Sequence, residues 1–476
     1  MFDLVLAGAQ VVTPDGPGDW DIAIYDGRIA AVASRGSLDD LASKIILFPG
    51  MVVVPGGIDP HIHCKWPVHD PYSGNTLYTA GVDIVSRSAL HGGTTCLIDF
   101  VIPRSGEALV TAADRLAAEW SHGCYCDFSY HVLLQDHLPR AILDEIPSVI
   151  NSGLPSFKIF TTNIRPSVQG RKISYGSLWE VMQMTSKHNG IVAVHAEDDD
   201  LVMHMYDKLI GEGRVGFENM HLVHSSLSED LSFRRVIRLA ENVPGTALYM
   251  MHVSAAAGVQ AIHESRAHGA PVYGETLHQY ALHTQDDYLE PDGMKYHTYP
   301  SLKSKEDTIA LWAGVVAGDI ATFGTDELCT SYAEKTAGKR IDNVVGGNTG
   351  AEPRMAIVYT EVVTKRALGL KTFVDLTSAN AARILGLYPR KGAIAVGSDA
   401  DLAVFDPNAH RAITAADLHA SDYTPWEGWE VSAWPIMTVL RGQVLVDHGK
   451  LIPKVPGGQF IERKLAAEVC AGTVLS

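Results

Sequence analysis

The chain is short of the features that mark secreted, membrane-spanning or nucleic-acid-binding proteins. Its 6 cysteines stand at positions 64, 96, 124, 126, 329 and 470. They form neither a Cys-x-x-Cys zinc pattern nor a dense disulfide framework. Cys124-x-Cys126 is too tight for an ordinary ligand pair and reads as part of a strand. A reducing, cytoplasmic setting is the expectation. Positive charge is also scarce: 38 Lys and Arg face 55 Asp and Glu, a formal charge of -17. That leaves no surplus to meet the phosphates of a nucleic acid or an anionic membrane. No run of about twenty apolar residues occurs, so no transmembrane helix is expected. No basic segment precedes the short apolar run in Met1–Gly8, so no secretion signal is expected either. Internal repeats and low-complexity tracts are missing as well.

What is present is a globular composition. Apolar residues make up 46% and charged residues 20% of a 476-residue chain. That is enough for one large domain plus a smaller one. Residues 1–54 read as short strands separated by Pro-Asp-Gly and Asp-Gly turns, a small β unit. From Val52 onward, near-continuous apolar strands alternate with amphipathic stretches such as Ala108–Glu119, Leu178–Lys187, Leu231–Glu241 and Ala255–Ala267. Strands buried on both faces and alternating with helices mean a parallel sheet. Eight of them point to an α/β fold, a closed (β/α)8 TIM-type barrel over 55–385. After that the β character returns. Ala393–Phe405 reads as strand-turn-strand, and Ile436–Val446 as two strands about an Arg-Gly turn. Both chain ends are therefore expected to build one β-sandwich, from 1–54 and 386–450. Residues 451–476 read as an arm, expected to pack on a neighbouring subunit.

The chemistry begins at Val52-Val53-Val54-Pro55-Gly56-Gly57-Ile58-Asp59-Pro60-His61-Ile62-His63. Alternate side chains of an extended strand share a face, so His61 and His63 point together and can hold one metal ion. Taken alone, a His-x-His pair is more often two hydrogen-bonded strand-end histidines. In a barrel, however, the C-terminal strand ends share one mouth. The fourth strand brings Lys158 there, the fifth His195, the sixth His252 and the eighth Asp326. Asp99, His131, Glu275 and His278 are lesser candidates. Each alone has a structural reading: Lys158 snorkelling to solvent, Asp326 capping a helix. Together they read as a metal site. A protonated lysine beside metal ions is electrostatically wrong. A neutral Lys158 amine can take up carbon dioxide and become a bridging carbamate.

Over nearly its whole length the chain resembles the cyclic amidohydrolases of the dihydropyrimidinase and hydantoinase group. The carrying stretches are Gly57–His63, Gly92-Gly93-Thr94-Thr95 with Ile98-Asp99-Phe100, Ser156–Phe160, His195-Ala196-Glu197, His252-Val253-Ser254, Gly274-Glu275-Thr276 and Gly324-Thr325-Asp326. Gly397–Asp401 and Tyr423–Gly428 add to them. The resemblance implies a homotetramer acting on a small molecule, with two divalent metal ions, usually Zn2+. His61 and His63 would hold one ion, His195 and His252 the other, with N6-carboxylated Lys158 between them and Asp326 on the first. A metal-bridging hydroxide would attack the amide carbonyl, with Asp326 as general base and then acid.

The substrate-facing positions depart from that group. Asn163 stands where relatives place an oxyanion tyrosine, and Tyr299 where a serine binds the ring amide through its backbone. Gly346 replaces an asparagine, with Asn348 close by, and Glu327 follows the catalytic aspartate where histidine is common. Asn163, Tyr299 and Asn348 are thus the candidate substrate contacts. The departures keep open the same chemistry on a different ring or on a linear amide. A non-catalytic scaffold is disfavoured because all six metal ligands are present. A phosphate-binding barrel is disfavoured because no Gly-rich loop follows the seventh or eighth strand.

Overall fold

The computed structural model describes residues 1–38, 41–69 and 75–475. Eight parallel strands follow one another around a barrel, numbered here β1 to β8: Gly57–Asp59, Thr94–Val101, Asp127–Leu133, Ser156–Phe160, Ile191–His195, Ala247–Met250, Val272–Leu277 and Ile320–Gly324. Every residue of all eight is buried. This explains why they read as continuous apolar runs rather than alternating ones. The seam between β8 and β1 is closed without a ladder. Thr325 Oγ1 donates to Asp59 Oδ2 at 2.6 Å, and His63 N donates to Glu327 O at 2.8 Å.

Helices cross over between strands, and several begin at side-chain caps. Ser174 receives the Ser177 N–H, Asp198 the Leu201 N–H, and Ser304 pairs with Asp307 in a reciprocal box. Leu109–Trp120, Tyr175–Lys187, Ser226–Glu241 and Ala256–Ala267 lie where the apolar periodicity put them.

A second, ten-stranded sheet draws on both chain ends. Val52–Pro55 pairs with Gln10–Thr13 on one side and with Leu402–Asp406 on the other. Its core joins Leu4, Leu6, Ile22 and Ile24 to Leu402, Val404, Met437 and Val439. The α/β barrel with a two-ended sandwich is therefore the architecture of the chain.

One local expectation changes, at Ala393–Phe405. Ahead of it, the chain leaves the sandwich sheet at Pro55 and enters the barrel at Gly57. A Cβ on Gly56 would collide with the Thr95 side chain, and one on Gly57 would lie 2.5 Å from Met355 Sδ. Glycine is what lets the chain change sheets here. Ala393–Phe405 yields a single strand, Leu402–Asp406, because the residues before it serve as an ion-paired turn rather than a ladder partner. The C-terminal arm lies on its own barrel. Phe128 N donates to Gln459 O and Ile461 N to Phe128 O, each near 2.9 Å. The buried Arg463 guanidinium donates to Ser129 Oγ at 2.8 Å and to Ser156 Oγ at 2.7 Å. A buried guanidinium needs several acceptors, and the N-terminal ends of the barrel strands supply them.

Candidate metal centre

All six predicted ligands reach one cavity of about 210 Å³ at the C-terminal mouth of the barrel. His61 and His63 follow β1, Lys158 lies in β4, His195 ends β5, and His252 and Asp326 follow β6 and β8. His252 and Asp326 have left-handed backbones, φ +41° and +51°. L-residues rarely adopt that conformation, and it holds these side chains where an extended strand end would not.

The geometry centres on Asp326. His63 Nε2 lies 2.8 Å and His61 Nε2 3.1 Å from Asp326 Oδ1, while Thr298 Oγ1 donates to Oδ2 at 3.0 Å. Two ring nitrogens and a carboxylate oxygen converge this closely, as a set that could hold one metal ion requires. On the other side, the His195 and His252 rings sit 4.5 Å apart, and His252 lies 5.5 Å from His61.

Charge follows burial and partners. Burial resists a cation on His61, but Glu275 and Asp326 outweigh it and raise its pKa to about 9. Burial wins at His63 and at His195, which fall to about 4. One carboxylate cannot hold two imidazolium ions, so the proton goes to the ring that also has Glu275. Burial likewise drives His252 well below the usual range. Asp326 is held well below the carboxylate range: burial opposes ionisation, and His61 and His63 overcome it.

Lys158 is 1% exposed. Its Nζ meets Met251 Sδ at 3.0 Å and lies 5.3 and 4.8 Å from the Phe100 and Phe160 ring centres. Burial pulls its pKa down to about 7, against the pull of Asp326 and Glu275. A thioether and two rings are poor company for an ammonium ion and good company for a neutral amine.

Residues 52–445 match the model of the amidohydrolase family. The chain belongs to the amidohydrolase family. It is 32% identical over 466 residues to a D-hydantoinase of Geobacillus stearothermophilus, covering 96% of each. Among solved structures it is similar to the dihydropyrimidinase from Brevibacillus agri, with TM-score 0.91 and 29% identity over 98% of this chain and 100% of the other. Similarity extends to the L-hydantoinase from Arthrobacter aurescens, with TM-score 0.85 and 27% identity over 97% and 100%.

The lesser candidates turn out to support this amidohydrolase's site from behind. Glu275 Oε1 accepts from His61 Nδ1 at 2.7 Å. Asp99 accepts from the Cys64 N–H, His131 Nε2 meets Pro60 O at 3.0 Å, and His278 stacks on Trp426. Of the substrate-contact candidates, Tyr299 lines the cavity, and its buried hydroxyl lies near Tyr206 and Arg165. Asn163 spends its carbonyl oxygen on the backbone N–H groups of Arg171 and Lys172, both at 3.0 Å. The Asn348 amide lies among Gln279, Lys295 and Gly347, behind the cavity wall formed by Gly346 and Gly347.

Sequence reasoning missed Glu197 and His224. His195 Nε2 meets Glu197 Oε2 at 2.8 Å, and His224 Nδ1 meets Glu197 Oε1 at 2.8 Å. The i, i+2 spacing of His195 and Glu197 was the available signal. His224, on a crossover between strands, had none. Arg165, Arg171 and Trp66 on the cavity wall were missed too.

Proposed function

We propose that this amidohydrolase opens a cyclic amide, a hydantoin- or dihydropyrimidine-like ring, by adding water across a ring C–N bond. The carrying observation is one cavity that gathers four histidines, Asp326 and a buried lysine that has no carboxylate partner among the described residues. The hydantoinase and dihydropyrimidinase names of its relatives support a ring amide as the substrate class.

The donor set fits two divalent ions, with zinc the metal of choice for imidazole and carboxylate. His61, His63 and Asp326 would hold one and His195 with His252 the other. Lys158, carboxylated on its amine, would supply an oxygen to each. Ions bound there acidify water and draw charge from an amide carbonyl. The chain does the rest. Glu275 accepts the Nδ1–H of His61 and leaves Nε2 free for an ion; Glu197 accepts the Nε2–H of His195 and leaves Nδ1 free. Asp326, oriented by Thr298, accepts a proton from water and returns it to the departing ring nitrogen. The Tyr299 hydroxyl is the donor at hand for the oxyanion. A homotetramer in a reducing cytoplasm completes the proposal, and six unpaired cysteines support that setting.

Metal analysis with a substrate screen tests it. Two ions per chain are expected, with water added to a ring amide as read by mass. Lys158→Ala should lower the metal content and cut turnover by more than the ~100-fold that loss of a mere supporting group costs. Metal content unchanged by the substitution would remove the bridge, and a metal-loaded protein inert to every ring would remove the activity.

A further inference from the structure

Arg171 lines the cavity, and nothing in the ring opening above uses it. Its place is fixed from behind by the backbone bond to Asn163 and by the bridge between Phe160 and Lys172. The guanidinium carbon lies 5.7 Å from the Trp66 ring centre and 5.2 Å from that of Phe160. Those rings hold the guanidinium plane but leave its N–H donors unspent. Among the described residues the side chain makes no hydrogen bond and no ion pair. Many arginines of the fold have carboxylates: Arg115 has Glu107, Arg234 has Asp230 and Arg366 has Glu361. In a chain with a formal charge of -17, a wall guanidinium left without one among the described residues is a site open to an anion.

The surroundings agree. Arg165 lines the same cavity and donates to Val344 O at 3.2 Å, keeping a second positive charge nearby. Burial, then Arg165, lowers Arg171 to about 10, which still leaves it a cation at neutral pH. Lys158 Nζ and the Arg171 guanidinium both lie about 5 Å from the Phe160 ring centre, so they stand at most about 10 Å apart on the wall of one cavity. Val68, Ile164 and Leu328 offer apolar wall for the stem of a substituent. A planar guanidinium fork matches a carboxylate edge to edge.

We infer that this site takes a cyclic amide whose substituent carries a carboxylate, and that Arg171 is the specificity residue that reads it. The inference rests on the ring-opening reading above. Its test compares two hydantoins that differ in one group, the 5-(2-carboxyethyl) ring and its carboxamide, on the zinc-loaded protein. The carboxylated ring should be preferred at least tenfold in kcat/KM, mostly through KM, and the preference should shrink as salt rises. Arg171→Gln should bring the ratio close to one, and Arg171→Lys should restore part of it. No preference in the parent overturns the inference. So does a ratio that survives Arg171→Gln, even if both rates fall. If neither ring is hydrolysed, the ring-opening reading is left to the wider screen of rings and the carboxylate reading is tested by binding. Both rings are then inert ligands, and calorimetric binding to the parent and to Arg171→Gln reads the same ratio in Kd.

Discussion

Glu229 shows how far burial alone moves a carboxyl group away from the metal centre. It is 1% exposed. Its oxygens accept the N–H groups of Ser254 and Ala255 at 3.1 and 2.9 Å and the Ser254 hydroxyl. It thereby holds the loop that follows His252. Burial raises its pKa from 4.5 to about 7, although Lys303 and these donors pull the other way. The folded state therefore holds a proton on Glu229 that the unfolded state releases near pH 4.5. The resulting stability is fully present below about 4.5 and is lost as pH rises through 7, up to about 3 kcal/mol in all. The difference in unfolding free energy between the parent and Glu229→Gln, followed from pH 4.5 to 7.5, should change by that amount, since Asp99 and Glu327, raised by burial into the same range, titrate in both. Parallel curves would mean that the carboxyl is ionised throughout. Glu197, also buried, moves the opposite way, because His224 and His195 overcome the cost of burial and hold it well below the usual range.

At the scale of elements, the hinge between sandwich and barrel is the sensitive point. A Cβ on Gly57 would meet Met355 Sδ at 2.5 Å, Thr94 Oγ1 at 2.9 Å and Arg354 Nη2 at 3.0 Å. Gly57→Ala should cost about 1–3 kcal/mol by overpacking, read from the denaturation midpoint, with metal content falling because His61 hangs from the same short strand. A midpoint unchanged within error would show that Met355 yields freely. The sequence reads these elements unevenly for physical reasons. Barrel strands are legible because burial on both faces demands unbroken apolar runs, and the ligands are legible because strand ends share one mouth. The close packing at the switch is not legible, since nothing in Pro55–Gly57 says that Thr95 and Met355 stand against its glycines. Nor is the turn before Leu402, where apolar spacing imitates a strand. Glu197 with His224 and the unpaired Arg171 escape for another reason. Their meaning lies in which side chains stand beside them, and crossover loops carry no periodicity that says so.

For the whole molecule, the join between barrel and sandwich is electrostatic as well as covalent. Lys391 is 2% exposed and lies among Asp127 at the start of β3, Asp399 at 3.0 Å and Asp401. Arg441, in the sandwich hairpin, reaches the same Asp127. Burial disfavours the Lys391 ammonium, but the three aspartates outweigh it and raise its pKa. Lys391→Met would leave buried carboxylates facing one another. A loss of about 3–5 kcal/mol is expected, with the sandwich melting ahead of the barrel in calorimetry. A single unshifted transition would show that the cluster carries little weight. The sheet that Lys391 anchors also sets a timetable. Val52–Pro55 receives its partner Leu402–Asp406 only after the entire barrel has been made. At synthesis rates of about 5–20 residues per second, that strand edge stays open on the ribosome for roughly half a minute. An open apolar edge is a template for the wrong neighbour. The yield of native protein in a cell is therefore set by what shields the first fifty residues while the barrel between them and Leu402 is being translated.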